Sequence, residues 1–141
     1  MNREAIYTAL FNKVSETVGI VTSSRKLKHW ADTQPYEQPA LFQTQAGESV
    51  TQSRGSPEVW ELNVKLYLYA NTQNGLPSTI INGLIDSIQT ALKPDITGYQ
   101  TLDDLVSHCW ISGSIETDEG VLGDQGVAII PINIKVVNQL F

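Results

Sequence analysis

Cysteine is almost missing from this chain. Cys109 is the only one in 141 residues, so neither an internal disulfide nor a thiolate cluster is available, and a reducing compartment is the simplest setting. Histidine is nearly as scarce, with only His29 and His108. His108 adjoins Cys109, but neighbours on a strand point to opposite faces and cannot hold one ion or pair as base and nucleophile. Long apolar runs are also lacking, and none approaches the roughly 20 residues of a membrane-crossing helix. The amino terminus, MNREAIYTALF, has neither a long apolar core nor a small-residue cleavage site, so no signal peptide is expected and the mature chain is expected to begin at Met1. The glycines at 113, 120, 123 and 126 fall between strand-like stretches rather than between a strand and a helix, which makes them turn and bulge residues and not a phosphate loop. No G-x-S-x-G elbow occurs, and ISGSI around Gly113 is only superficially similar.

Positive charge is in short supply as well. Nine basic residues stand against fifteen acidic ones, for a formal charge of -6. Phosphate neutralisation dominates duplex binding, so a DNA reader is excluded as the leading reading. The same charge suits the wall of a channel past which DNA slides without sticking. The only basic concentration is Arg25, Lys26 and Lys28, for which protection of an edge strand is a simpler account than a partner patch.

What is present is an ordinary globular composition, 41% hydrophobic and 17% charged, and a length that fits one domain over residues 1–141. From Asn2 to about Val18, Ile6, Tyr7, Leu10, Phe11, Val14 and Val18 recur at helical steps, with Asn2 as cap and Gly19 as stop. Ile20 to Trp30 alternates and reads as a strand. Ala31 to Ala40 carries two prolines and reads as a loop, followed by a short strand over Ala40 to Gln45. GESVTQSRGSP, Gly47 to Pro57, is small, polar and turn-prone, and Arg54 lies within it. Glu58 to Ala70 is the strongest strand: Trp60, Leu62, Val64, Leu66 and Leu68 form a core face, while Tyr67 and Tyr69 on the other face suit cross-strand packing better than a binding stripe. Ser78 can cap a second helix to about Leu92, which Pro94 ends.

The stretch that matters most is Val106 to Val137, two strand-like arms around an acidic connection. In the second arm Ala128, Ile130, Ile132, Ile134 and Val136 share one face, and Val127, Ile129, Pro131, Asn133, Lys135 and Val137 the other. Val127 to Ile132 is apolar on both faces, so this part should be covered twice, by the fold and by something else. The expected class is α+β, a mostly antiparallel sheet of about five strands with two helices packed on one face, in the order α-β-β-β-α-β-β. Glu116, Asp118, Glu119 and Asp124 in the connection could supply oxygen ligands or an acid and base. Their spacing does not fit an EF-hand loop, and solvated surface or ion pairing between subunits is the simpler account.

HWADTQPYEQPALF (His29 to Phe42), WELNVKLYLYA (Trp60 to Ala70) and HCWISGSIETDEGVLGDQGVAIIPINI (His108 to Ile134) together resemble a family of small tailed-phage and prophage proteins, the tail-terminator or tail-completion class. The resemblance covers nearly the whole chain. It implies a non-enzymatic structural subunit without cofactor or metal, working in the virion tail after assembly in the host cytoplasm. Its partners would be further copies of itself, usually six in a ring, the tail tube protein and a head-tail connector protein, with DNA met only in passage and no membrane contact. A head-to-tail connector or neck role is the nearest alternative, and a small-molecule binding domain or hydrolase the one from another class. Three assembly surfaces follow as expectations. Val127, Ile129 and Pro131 would form a subunit interface or a covered sheet face. The loop around Arg54 would dock on the tube or another partner, and Glu116 to Asp124 would touch a neighbour or line the channel.

Overall fold

The computed structural model describes residues 1–71, 75–119 and 123–138. Helix α1 spans Arg3–Ser15 and starts as its sequence dictates, with the Asn2 side chain accepting the Ala5 N–H at 3.1 Å. It turns Ile6, Tyr7, Leu10 and Val14 inward. The helix stops short of the expected Val18, which is 86% exposed; Ser15, Thr17 and Val18 are poor helix formers, and Gly19 takes a positive φ beyond them.

Strand β1 is only Thr22–Ser24, paired parallel to β2 (Ala40–Thr51). The strand expected to continue to Trp30 ends early because side chains pull the backbone off the sheet. Arg25 pairs with Glu4 of α1, the Ser24 hydroxyl accepts the Lys26 N–H, and Lys28 pairs with Glu37 at 3.0 Å. The basic run follows directly on edge strand β1, and two of its members, Arg25 and Lys28, are held in ion pairs within the chain. Trp30–Asp32 and Pro35–Glu37 form short 3₁₀ turns instead.

Strand β2 runs well past the expected Gln45, taking in Gly47 to Thr51, which the sequence presents as loop. Its partner β3 (Glu58–Asn71) is long and alternates between exposed and buried residues from Glu61 to Leu66, and the ladder between them holds the small polar residues extended across a bulge at Gln45/Gly47. The connecting tip carries Arg54. After β3 comes α2, Pro77–Ala91, where Pro77 occupies the first helical position and Leu76 the cap, so Ser78 lies inside the helix rather than capping it.

The last part of the sheet is built on β6, Gln125–Asn138, which pairs with β3 along its whole length, from Glu58 opposite Asn138 to Asn71 opposite Gln125. The other edge of β6 takes β4 (His108–Ile111) near its end and β5 (Glu116–Glu119) near its beginning. The acidic connection therefore contributes a sixth short strand. Sheet order is β1-β2-β3-β6-β4, with β5 beside β4 on the same edge, and every pairing but β1–β2 is antiparallel.

Both helices lie on one face. There Leu62, Val64, Leu66 and Leu68 of β3 and Ala128, Ile130, Ile132 and Ile134 of β6 meet Ile6, Tyr7, Leu10, Ile81, Leu84 and Ile88. Each such side chain removed from water contributes about 1.5–3 kcal/mol. The α+β class and the order α-β-β-β-α-β-β stand, with β5 added. Gly126 marks where α2 comes closest: a Cβ there would sit 3.2 Å from both Ile81 Cγ1 and Pro77 Cβ.

Candidate assembly surfaces

The face of the sheet away from the helices is finished at one end only. At the start of β2 and the end of β3, Ala40, Phe42 and Tyr69 form a second, small core with Trp30, Tyr67 and Val127 packed around it. The segment from Arg25 to Pro39 lies over them as an arm. It is pinned by the Tyr69 hydroxyl, which donates to the Lys28 carbonyl at 2.8 Å, and by Gln125 Nε2, which donates to the Trp30 carbonyl at 3.3 Å. Burial under this arm, with Tyr67 adding to it, raises the Tyr69 pKa.

Further along, the cover ends. Glu61, Asn63 and Lys65 of β3 and Lys135 and Val137 of β6 are exposed. Asn133, half-buried between them, has its Oδ1 enclosed without a hydrogen-bond partner. On β4, His108 and Trp110 share this outer face and stack at 4.9 Å, with Tyr99 edge-on to His108 at 5.5 Å. The His108 Nδ1 accepts the Gln100 N–H at 3.0 Å, so the imidazole anchors the preceding loop.

Val127, Ile129 and Pro131, expected to be covered twice, are half-buried. Val127 is sheltered by the arm. Pro131 lies under the kink between β4 and β5, where its carbonyl accepts the Ser112 N–H at 3.1 Å. Between these two residues the register of β5 sets Asp118 opposite Val127 and Glu116 opposite Ile129. Trp30, Glu116, Thr117, Asp118, Val127 and Ile129 line an open groove of about 370 Å³. One carboxylate oxygen, Asp118 Oδ1, is buried without a hydrogen-bond partner.

The structure thus brings four of the sequence-nominated residues, Glu116, Asp118, Val127 and Ile129, into one place. Glu119 has the opposite parity and lines a narrow cleft of about 40 Å³ beside Pro77 and Ile81. Asp124 is exposed just before β6, while Gly120 to Leu122, within the nominated turn, fall outside the described residues. Arg54 is exposed at the β2–β3 tip, far from the groove. Sequence reasoning missed Trp30, the indole wall of the groove, because HWAD reads equally as the end of a strand.

Cys109 faces the helix side at 1% exposure, and burial pushes its thiol pKa up to about 12, which leaves no thiolate for nucleophilic work. His108 points to the outer face, as parity requires. Among the described residues no group of three or more His, Cys, Asp or Glu side chains is arranged to hold a metal ion, and no helix is long and apolar enough to cross a membrane.

No family model matches the chain, and no curated protein sequence does. Its fold is similar to that of a chain in the solved structure of the virion of a native gene transfer agent particle. The superposition has a TM-score of 0.58 and covers 96% of this chain and 97% of that one, at 8% sequence identity. The backbone arrangement, helices and sheet together, is therefore one already seen in a virion component.

Proposed function

We propose that the protein is a virion structural subunit of the tail-terminator kind. Copies of the single domain over residues 1–141 form a ring, six copies by the resemblance, that caps the finished tail tube. The ring stops tube polymerisation and offers the surface to which the head or connector joins. The subunit acts in the virion tail, is assembled in the host cytoplasm and carries out no catalysis. The observation that carries this reading is the fold likeness, over nearly the whole of both chains, to a chain of a gene transfer agent virion. Two features of the chain support it. The outer sheet face is half-covered around Ile129 and Pro131, the condition of a surface completed by assembly. The net charge of -6 suits a ring that DNA crosses without being held.

In this reading Val127, Ile129 and Pro131 belong to the subunit interface, Glu116, Asp118, Glu119 and Asp124 to charged contacts between neighbours, and Arg54 to a docking tip. The test is solution mass with negative-stain imaging, alone and with purified tail tubes. The expected result is a hexameric ring with a pore that admits duplex DNA, seated on tube ends and halting their growth. Ile129→Asp is expected to reduce the oligomer to smaller species while the circular dichroism of the subunit is kept. A chain that stays monomeric both alone and with tubes would overturn the reading. Rings that bind the head connector and leave tube growth untouched would make it a neck component instead.

A further inference from the structure

We propose that the groove beside Trp30 receives the Arg54 side chain of a second copy of this chain, a contact that rests on the self-assembly of the preceding reading. The groove has the three features a guanidinium needs. Its floor, Val127 and Ile129, can take the methylene stem, the Trp30 indole offers a face for the planar cation, and Glu116 and Asp118 on the rim can accept its N–H groups. Asp118 is half-buried, and its Oδ1 is enclosed with no hydrogen-bond partner among the described residues, so a turn of the carboxylate toward the groove is needed to present it to a donor. An enclosed carboxylate oxygen left unpaired is costly, so the free subunit is incomplete at this point.

Among the described residues Lys26, Lys65, Lys93, Lys135 and Arg54 form no ion pair, so the occupant is selected from these five by the shape of its charge. Arg3 pairs with Glu48, Arg25 with Glu4, Lys28 with Glu37, and Lys13 approaches Asp103. Among the described residues Arg54 is the one arginine without a carboxylate partner, and it sits at an exposed tip rather than on the sheet. Lysine offers a compact charge where the groove presents an indole face and two carboxylates, which a planar fork fits better.

The same copy cannot fill its own groove. Val59, next to the tip, pairs with Val137, whereas the groove is floored by Val127 at the other end of β6. At roughly 3.3 Å per residue the two are on the order of 30 Å apart. Tip and groove are different patches, so the contact is heterologous: each copy gives its tip to one neighbour and its groove to another, which yields a ring when the rotation closes.

The test places cysteines beside the contact and leaves its charges intact. Ser53→Cys on the tip and Ala31→Cys, exposed next to Trp30 at the groove, are made in separate chains carrying tags of different size, mixed, and oxidised mildly. Buried Cys109 does not compete. The expected product is a disulfide-linked pair containing one chain of each kind. Adding Arg54→Glu to the tip chain should lower its yield about tenfold, the scale of one charge-assisted pair. Glu116→Arg with Asp118→Arg in the rim chain should restore it. Mass photometry on the same samples separates the two claims. Oligomers without the mixed product would overturn the contact and leave the ring standing, whereas monomers without the product would overturn both. A mixed product indifferent to Arg54→Glu would also overturn the proposal, because the tip would then be near the groove for another reason.

Discussion

Along β3 and β6 the even-numbered and odd-numbered side chains leave the same two strands in opposite directions, yet only the even set is closed over along most of its length. From Leu62 to Ala70 and from Ala128 to Ile134 the even residues are at most 1% exposed beneath two helices. The odd residues pass from buried Tyr69 through half-buried Tyr67, Ile129 and Pro131 to exposed Lys65, Lys135 and Glu61. Strand pairing is identical for both sets, so the sheet itself does not make the difference. It comes from what covers each face: two amphipathic helices on one side, and on the other a short arm that reaches only as far as Val127. The inner face is closed by the fold itself, while the outer face from Ile129 onward is covered only in part.

A matched pair of truncations tests this contrast most severely. Ile132→Ala opens a cavity in the closed face and should cost about 2–5 kcal/mol in chemical denaturation. Ile129→Ala, three residues away on the outer face, should cost the isolated subunit about 1 kcal/mol or less, because water and mobile neighbours can fill the space. Equal losses would mean that the two faces are equally closed. A smaller effect is expected where the outer face is covered. Tyr69→Phe deletes the hydroxyl that holds Lys28 and should cost about 1 kcal/mol. It should also speed hydrogen exchange in the arm but not in β6, and uniform acceleration would show that the arm is not a separate cover.

Much of the inner face was legible in the sequence, because period two sustained through WELNVKLYLYA and GVAIIPINIKVV leaves no other regular structure open. The outer face was less legible, for particular reasons. Arm residues Lys28 and Trp30 are fixed through their carbonyls by Tyr69 and Gln125, which lie 41 and 95 positions away in the chain, and no local pattern encodes such bonds. Glu116–Glu119 has the composition of a solvated turn and is a strand only because β6 offers it a free edge. Gly47 to Thr51 is extended for the same kind of reason, with β3 as the template. At the candidate site, Ile129 and Glu116 could each be nominated from sequence, but their meeting depends on the register of β5, and the indole that completes the groove comes from the opposite end of the chain.

The finest probe of the contrast is acid. The Glu37 carboxylate accepts the Gln34 N–H at 3.1 Å and the Lys28 ammonium at 3.0 Å, and these two bonds, the backbone one first, hold its carboxyl below the usual carboxylate range. A carboxyl lowered by folding favours the folded arm at any pH above its unfolded value, and that contribution disappears as the pH falls through the lowered one. Glu4, lowered by its bond to Arg25 where the arm begins, changes in the same direction. Acidification should therefore loosen the arm before the inner core responds. With Trp60→Phe and Trp110→Phe leaving Trp30 as the sole indole, its emission should shift to the red as the pH drops below the carboxylate range, while far-ultraviolet circular dichroism stays constant. Glu37→Gln should weaken this response without abolishing it, since Glu4 remains. An acid response that Glu37→Gln leaves unchanged would remove Glu37 from the set of groups holding the arm, and a simultaneous loss of circular dichroism would show that arm and core unfold as one unit and that the two faces are not independent.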